Sequence, residues 1–532
     1  MNIFKKAFGV AVALTIAVTS LAGCGNGSGP ATGETKKLTY WTGNSASTYV
    51  TNYDEATSIA KLQEKFGIDI EFIHPSASRW SEQFNIMIAS NEYTDIINQN
   101  SWDGAYNGGL PAAYKDGVII DLTEYLDAGK MPNYKKLLDK YPEVDLSSRT
   151  VDGKLFSFGT IKDSAEMNAS LGPIVRKDWL DKLGLEAPDT IGDWYNMLKA
   201  FKTQDPNGNG KADEIPFGEY SSQLFSMFCT AYNVGTGFYY DANGELVYGP
   251  IQPGYKEFIT EMNKWYNEGL IDPEFAAIAR SNLNANVTNG LVGALVGYVG
   301  SSMGTYLGAM EKDPNFDLVG VKWPRHDENS KRYVARDTSD MGGGASGAVV
   351  TTACKDPELA VRFLDYMYSE EATEILNWGV EGVTFTKENG EYKFTDAITN
   401  NPDGLTFAEA VNEHVFPSLG VPNKYWLNSS YSEVQYRYPQ QKAAPAEWID
   451  GDVSLVNLRV KMTAEENARR SQITADTTPY EDEMFTKMII GKEPISKFDE
   501  YVDTMNKYGL IELTEIYKSA AQRYEQLKAE LK

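Results

Sequence analysis

The sequence predicts an α/β protein built from two α/β regions, and three observations support that class. Between residues 38 and 97 the apolar pattern alternates between the period of a strand and the period of a helix. A second α/β region follows a turn-forming segment at residues 151–158. The length of 532 residues exceeds what one core accommodates and fits two or three domains.

The first region has the pattern strand, helix, strand, helix and strand within a short stretch. The strands are expected at residues 38–41, 68–73 and 95–97. The first helix is expected to end at Gly67, because glycine favours the left-handed cap, and the second helix covers residues 84–89. Strands that alternate with helices indicate a parallel sheet with helices on its faces.

Later elements are predicted from caps, turns and periodicity. Asp356 is expected to cap a helix with Pro357 at its first position, and Thr514 is expected to cap the terminal helix. Residues 152–153 predict the turn of a hairpin, and residues 241–244 predict another tight turn. The predicted helices of this part of the chain are residues 176–183, 191–201, 255–268, 357–368 and 515–531.

The charge balance is strongly acidic, with 74 Asp and Glu against 49 Lys and Arg and a formal net charge of −25. Such a chain repels phosphate backbones, so nucleic acid is not an expected partner. The three histidines, His74, His326 and His414, lack zinc-hydrolase spacing, which disfavours zinc hydrolysis and a His-based triad. Beyond the N-terminal Cys only Cys229 and Cys354 remain, which allows at most one disulfide between them.

The N-terminus has the pattern of an export signal. Two lysines precede an almost uncharged apolar run at residues 7–18, and Leu-Ala-Gly leads directly into Cys24. This ending resembles the lipobox of bacterial lipoproteins, which implies removal of residues 1–23 and attachment of a diacylglycerol to Cys24. Residues 24–37 are then a flexible tether, and the body lies at the outer face of the cytoplasmic membrane, held by its lipid anchor alone. A plain secretory signal is the alternative.

The segment from Asp205 to Pro216 has the spacing of a calcium loop of the EF-hand kind. Oxygen-bearing side chains occupy its positions 1, 3, 5 and 9, with glycine at position 6. Position 12 is Pro216 rather than the bidentate Glu, and Glu214 is the expected substitute. The predicted ligands of a structural calcium ion are Asp205, Asn207, Asn209, the carbonyl of Lys211, Asp213 and Glu214. An Asx-rich surface turn is the alternative.

Several segments in order resemble the extracellular solute-binding proteins of family 1. The lipobox is followed by the strand–helix start at residues 38–97 and by Tyr-Lys-Asp-Gly-Val-Ile-Ile-Asp-Leu at residues 114–122. Further similar segments are residues 175–185, 265–275, 356–366 and 369–372. The loop at Asp205 is similar to the calcium loop of the larger members, such as the alginate-oligosaccharide-binding proteins. In that subgroup the carboxylate two residues before the Pro is a ligand, which supports Glu214.

The resemblance implies a two-lobed, periplasmic-binding-protein-like clam-shell fold that closes over a ligand. The chain is expected to cross between the lobes near residues 160–168 and 336–344. The implied boundaries are residues 38–165 plus about 339–400 for the N-terminal lobe and 166–338 plus about 401–532 for the C-terminal lobe. Such proteins are monomers that deliver an oligosaccharide, chemically unchanged, to the permease subunits of an ABC importer.

By analogy with the family, the ligand lies against loops that follow the strands at the cleft. Aromatic rings would stack on pyranose faces, and Asn, Gln and Asp side chains would bond the hydroxyls. The expected contacts are Trp41, Asn44, Gln99, Asn100, Trp102, Asp163, Tyr298, Tyr425, Trp426, Tyr431 and Trp448. Core packing is the alternative for each of them.

Three other functions remain open at the level of sequence. A secreted glycoside hydrolase would need two carboxylates about 5–9.5 Å apart, and the sequence singles out no such pair. The same fold would also suit a peptide or another small polar solute. A sensor subunit would report occupancy to a membrane kinase instead of a transporter.

Overall fold

Two lobes make up the body of the protein, and each is built on a four-stranded sheet with apolar cores on both faces. The predicted two-lobed α/β class is therefore confirmed. Cys24 and most of the predicted tether lie outside the described residues. The computed structural model describes residues 36–44, 50–344, 346–405, 407–415 and 425–531.

Strands and helices alternate along most of the chain, and helices dominate its C-terminal part. The strands are β1 (Lys36–Trp41), β2 (Ile68–Ile73), β3 (Ile96–Gln99), β4 (Ile161–Lys162), β5 (Leu171–Arg176), β6 (Ile215–Phe217), β7 (Phe238–Tyr240), β8 (Leu246–Tyr248), β9 (Val292–Tyr298), β10 (Leu318–Gly320), β11 (Gly347–Val350), β12 (Phe385–Glu388), β13 (Glu391–Phe394) and β14 (Trp426–Leu427). The helices are α1 (Thr57–Phe66), α2 (Trp80–Ser90), α3 (Trp102–Ala105), α4 (Gly109–Lys115), α5 (Thr123–Asp127), α6 (Pro132–Lys140), α7 (Pro142–Ser148), α8 (Ala165–Asn168), α9 (Lys177–Leu183), α10 (Ile191–Thr203), α11 (Ser221–Cys229), α12 (Pro253–Asn267), α13 (Arg280–Thr288), α14 (Thr305–Ala309), α15 (Pro357–Tyr366), α16 (Glu370–Trp378), α17 (Asp396–Thr399), α18 (Phe407–His414), α19 (Ser429–Gln435), α20 (Pro439–Trp448), α21 (Ala464–Ile489), α22 (Phe498–Lys507) and α23 (Leu510–Glu530).

Local caps explain where several helices begin and end. The Asp356 carboxylate accepts a hydrogen bond from the backbone N–H of Leu359 at 3.1 Å, as predicted for the start of α15. Gly67 ends α1 in the left-handed conformation, also as predicted. The prediction for Thr514 was wrong, because α23 begins one turn earlier and the Thr514 hydroxyl donates to the carbonyl of Leu510 at 2.8 Å.

The first sheet has the strand order β11-β3-β1-β2. β1 runs parallel to both β2 and β3, which confirms the predicted parallel arrangement, and β11 adds an antiparallel edge. Successive side chains of a strand point to opposite faces, so Tyr40 packs into one core and Trp41 into the other. Helices α1, α6 and α15 cover the first face, and α2 and α4 cover the second.

The second sheet has the strand order β10-β5-β9-β6. β9 pairs antiparallel with β5 and parallel with β6, and β10 pairs antiparallel with β5. Ile174 and Val175 are neighbours on β5 that enter the cores on opposite faces of this sheet. The larger of these cores contains helices α9 to α12 and reaches the C-terminal helices.

Three chain segments meet between the lobes. β4 pairs parallel with β14, and Ile161 also forms a bridge to Gly342. The two segments expected to cross between the lobes therefore contact each other at Ile161 and Gly342, and Trp426 pairs with the first of them, which sequence reasoning missed. Gly342 adopts a φ of 104°, and a Cβ there would lie 1.9 Å from the carbonyl oxygen of Thr160, so only glycine fits this close approach.

The C-terminal helices contact both lobes. Helix α21 packs against α12 of the second lobe and against α4 of the first lobe. Helix α23 likewise contacts both lobes, packing against β8 of the second lobe and against α7 of the first lobe. The first core also continues through Val415 and Tyr425, beyond the boundary expected near residue 400. The division of the chain into lobes at particular residues stays a prediction.

Two local expectations changed in detail. Residues 151–158 form a tight turn with a single bridge between Arg149 and Leu155, rather than a complete hairpin. Of the cysteines that the structure describes, Cys229 and Cys354 are both free and buried. They belong to different cores, so the two thiols do not form a disulfide.

Candidate functional site

The carboxyl ends of β1 and β3 lie at the same edge of the first sheet, because the two strands are parallel. The ring of Trp41 lies 4.3 Å from the ring of Trp80, measured between centroids. Trp80 is half-buried, and its Nε1 donates to Oε1 of Gln99 at 3.0 Å. Gln99 is only 3% exposed, and its Nε2 has no hydrogen-bond partner among the described residues. This edge therefore offers an indole held in place and a buried amide donor that the described chain leaves unpaired.

Sequence reasoning missed Trp80, because the helix was expected to begin only at residue 84. The close approach of Trp80 to Gly43 requires a residue without a side chain, since a Cβ at Gly43 would lie 2.8 Å from the indole. Nearby, Asn44 donates to the carbonyls of Val50 and Thr51 at 2.9 and 3.3 Å. Asn100 is exposed at the same edge.

The corresponding edge of the second sheet carries Tyr298 and Glu219. Tyr298 ends β9, and Glu219 follows the parallel strand β6, so both lie at carboxyl ends. Glu219 is 1% exposed and accepts hydrogen bonds from the N–H groups of Val296 and Tyr220 at 2.9 and 3.0 Å. Burial raises the pKa of Glu219 to about 7, and the positive charge of Arg280 opposes this change.

A cavity of about 30 Å³, the size of one water molecule, lies beside these groups. Tyr298, Tyr220 and Arg280 line it together with Glu219. Tyr298 also carries the guanidinium of Arg336 over its ring, at 5.8 Å from the centroid. Glu219 could have been suspected only from its place directly after a short apolar strand.

Asp163 connects the first crossing to the segment at Trp426. Its Oδ1 accepts hydrogen bonds from the hydroxyl of Tyr141 at 2.6 Å and from Nε1 of Trp426 at 2.9 Å. The ammonium of Lys140 lies 3.5 Å from the same oxygen. The structure therefore brings Asp163 and Trp426 together, as two of the expected ligand contacts at the junction of the lobes.

Besides Trp41 and Gln99, which are 4% and 3% exposed at the strand edge, four of the expected ligand contacts are buried within the lobes. Trp102 and Trp448 are fully buried, and their Nε1 atoms donate to the main-chain carbonyls of Gly347 and Pro173. Tyr425 is 1% exposed and its hydroxyl pairs with that of Tyr40. The fourth, Tyr431, is buried in a small apolar cluster. The expectation that these four rings offer a surface to a ligand is corrected, because apolar packing already covers them.

The loop from Asp205 to Pro216 folds by side-chain contacts to its own backbone. The Asp205 carboxylate accepts from the N–H of Gly210 at 3.1 Å, and Asn209 accepts from the N–H of Lys211 at 2.8 Å. The side-chain amide of Asn209 donates to Asp213 at 3.0 Å. Lys211 is exposed.

The same loop gathers carboxylate oxygens that are not satisfied by protein donors. Asp205 Oδ1 and Glu214 Oε1 are buried, and neither has a hydrogen-bond partner within the described part of the chain. Burial raises the pKa of Glu214, and the charges of Asp205 and Asp213 add to this effect. Two unpartnered carboxylate oxygens beside a third acid fit a bound hard cation.

In the described residues no group of three or more His, Cys, Asp and Glu side chains has the arrangement of a metal site. The metal ligands predicted for the loop are not confined to those four residue types. They also include the amide oxygens of Asn207 and Asn209 and the carbonyl oxygen of Lys211. The loop is held to α9 by Lys182, whose ammonium donates to the carbonyls of Asp205 and Pro206 at 3.0 and 2.8 Å.

Two α/β lobes, joined by several crossing segments and carrying aromatic and polar groups at their strand ends, define a two-lobed binding protein. Residues 48–374, more than half of the chain, match the family model described as bacterial extracellular solute-binding protein. This chain belongs to that family.

The chain is similar to two curated relatives over most of its length. It is 27% identical to the fructooligosaccharide ABC transporter substrate-binding protein FusA of Streptococcus pneumoniae, covering 89% of this chain and 88% of FusA. It is 26% identical to the lipoprotein LipO of Bacillus subtilis, covering 88% and 90%.

Solved structures of the same fold include the alginate-binding protein AlgQ2 without calcium ion, with a TM-score of 0.75 at 21% identity over 92% of this chain and 99% of AlgQ2. FusA in complex with kestose gives a TM-score of 0.74 at 24% identity over 93% and 100%. Both likenesses establish the fold. Within the described residues, no helix is both long enough and apolar enough to span a bilayer.

Proposed function

We propose that this protein captures an oligosaccharide between its two lobes and delivers it unchanged to an ABC importer. The observation that carries the proposal is the pairing of Trp80 and Gln99 at the carboxyl edge of the first sheet. It combines a half-buried indole with a buried amide whose Nε2 has no hydrogen-bond partner in the described chain. The relative FusA, described as a substrate-binding protein of a fructooligosaccharide transporter, supports the same class of ligand.

The chemistry of this edge suits a neutral, hydroxyl-rich ligand. An indole presents a flat apolar face on which the C–H face of a sugar ring stacks. An amide offers both donors and an acceptor, so it matches hydroxyls that need both. On the second sheet, Tyr298 and Tyr220 supply further aromatic surface beside Glu219. Closure of the lobes over a ligand would bring these two sets together and change the shape that a transporter recognises.

Isothermal titration against a broad glycan panel that includes kestose tests this function. We expect at least one oligosaccharide to bind wild-type protein, and Trp80→Ala and Gln99→Leu each to weaken binding by about tenfold. Tyr508→Ala is the matched control, because Tyr508 is an exposed ring between α22 and α23, far from this edge in the sequence. Binding of a peptide with no binding of any glycan would contradict the sugar ligand.

The ligand is expected to leave the protein chemically intact. The family is one of binding proteins, and delivery requires release of the captured molecule. Mass spectrometry of the bound oligosaccharide after prolonged incubation checks this point. Shortened products would favour the glycoside hydrolase alternative.

We further propose a structural calcium ion in the loop at Asp205. The side chains of Asp205, Asn207, Asn209, Asp213 and Glu214 and the carbonyl of Lys211 would hold it. Calcium would supply positive charge to oxygens that the chain itself leaves unsatisfied, and so fix the loop against α9. Solved neighbours whose descriptions name calcium or an EF-hand support this choice of metal.

The anchor and the partners complete the proposal. Cys24, although outside the described residues, would carry a lipid that holds the protein at the outer face of the cytoplasmic membrane. Metabolic labelling with palmitate should mark the wild-type protein and not Cys24→Ser. Copurification with permease subunits is expected, whereas copurification with a membrane kinase would indicate a sensor.

A further inference from the structure

A second polar cavity, of about 210 Å³, lies at the junction between the first lobe and the C-terminal helices. Residues of α4, α7, the crossing segment and the start of α21 line it. None of the ligand contacts expected from the sequence is among its described lining residues. The charged and amide-bearing side chains around it are Asp103, Arg149, Lys461, Asn467 and Arg470.

Buried donors and acceptors of this cavity are left without protein partners. Asn467 is 4% exposed, and neither its Oδ1 nor its Nδ2 has a hydrogen-bond partner in the described chain. Arg470 donates from Nη2 to the carbonyl of Asp103 at 2.9 Å, but its buried Nε has no partner among the described residues. Lys461 donates two of its three ammonium hydrogens to main-chain carbonyls at the end of α7, at 2.6 and 3.0 Å. The donor groups Arg470 Nε and Asn467 Nδ2 are therefore left without an acceptor in the described chain.

The charged side chains that line the cavity are also unbalanced in number. Arg149 is paired with Asp145 at 2.7 Å, which leaves Lys461 and Arg470 against the single carboxylate of Asp103. One positive charge is in excess, although the whole chain has a net charge of −25. Burial lowers the pKa of Lys461 to about 8, so nearby negative charge does not compensate its desolvation. A monoanion would balance this cavity.

We propose that this cavity binds a small hydroxycarboxylate anion. Its carboxylate accepts hydrogen bonds from Arg470 Nε, Lys461 Nζ and Asn467 Nδ2. Its hydroxyl groups donate to Asn467 Oδ1 and to the Asp103 carboxylate. The site does not depend on the oligosaccharide function, because it uses different residues and a different chemical class of ligand.

Thermal unfolding of the full chain tests the site with sodium lactate and sodium gluconate as probes. Sodium chloride at equal ionic strength and neutral lactamide are the reference solutes. We expect at least one carboxylate to raise the melting temperature by about 2 °C or more in a concentration-dependent way, with no such rise in either reference. If neither carboxylate exceeds the references, the cavity holds only water and the proposal is overturned.

Two variants and one control assign any such rise to this cavity. Arg470→Gln and Asn467→Leu should each abolish it, and the second keeps the size of the side chain, so that folding is preserved. Arg469→Gln is the matched control, because Arg469 is the exposed neighbour on the same helix and pairs with Glu512. A rise that persists in either cavity variant overturns the proposal. Because no oligosaccharide is used, failure here is distinct from failure of the transport function.

Discussion

The buried carboxyl group of Glu219 makes a quantitative prediction about pH and stability. Its pKa is raised by burial from an ordinary value of 4.5 to about 7 in the folded protein. Below pH 4.5 the group is protonated in both states, so it adds no penalty. Between pH 4.5 and 7 the unfolded chain releases its proton first, and the free energy of unfolding falls as pH rises. Above pH 7 the full penalty is present.

The size of this penalty follows from the two pKa values. One pKa unit corresponds to about 1.4 kcal/mol, so ionisation of Glu219 costs the folded state about 3 kcal/mol. Glu219→Gln stays neutral at every pH and removes this dependence. Its single carbonyl oxygen replaces two acceptors for Val296 and Tyr220, but that loss of about 1 kcal/mol is the same at all pH values. This constant loss therefore cancels when the unfolding free energy of each protein at one pH is subtracted from its value at another pH.

Urea unfolding at pH 5, 6, 7 and 8, followed by tryptophan fluorescence, measures this difference. Between pH 5 and 8 the wild-type protein should lose about 2–3 kcal/mol more unfolding free energy than Glu219→Gln. Glu186→Gln is the control, since Glu186 is exposed and should follow the wild type. Parallel pH curves for the wild type and Glu219→Gln would refute the reasoning.

Three further predictions concern metal, packing and the junction of the lobes. Chelation should lower the melting temperature of the wild type by several degrees but have little effect on Glu214→Gln, and equal shifts in both would contradict a calcium ion at this loop. Gly172→Ala would place a Cβ 2.3 Å from the ring of Trp448 and should lower the unfolding free energy by about 1–3 kcal/mol, whereas Gly237→Ala, with no described atom within 4 Å, should leave it nearly unchanged. Similar urea midpoints for the two glycine variants would show that this packing argument is wrong. Asp163→Ala leaves two donors at the crossing unpaired and should cost about 1–3 kcal/mol in the same assay, so an unchanged midpoint would count against its bridging role.

The first α/β stretch could be predicted well, because its signals are local. The alternation of β2 and the left-handed cap at Gly67 depend on residues that are neighbours in sequence. The antiparallel edge strand β11 could not be predicted, since Val350 pairs with Ile96 and Gly347 with Gln99 from far along the chain, and no local pattern encodes that pairing. The pairing of Trp426 with Ile161 escaped prediction for the same reason.

The candidate site shows a different limit. Trp102 and Trp448 are expected ligand contacts because aromatic rings suit sugars, but the same rings also suit a core. Which use applies depends on the chain opposite them, such as Gly172 and Gly320 against Trp448, where the absence of a side chain makes room for the indole. Trp80 was missed because its helix was expected to begin only at residue 84, and its contact with Gln99 is not visible from the sequence.

The C-terminal helices restrict how the lobes can move relative to each other. Lys461 donates to carbonyls at the end of α7 in the first lobe, while its own backbone N–H donates to the carbonyl of Ala520 on α23. Helix α21 adds contacts with α4 and with α12. A motion that separated α4 from α21 would break these contacts and leave the ammonium of Lys461 without its carbonyl partners, at a cost of several kcal/mol if the site stayed dry. Separation of α4 from α21 is therefore a motion that the structure disfavours.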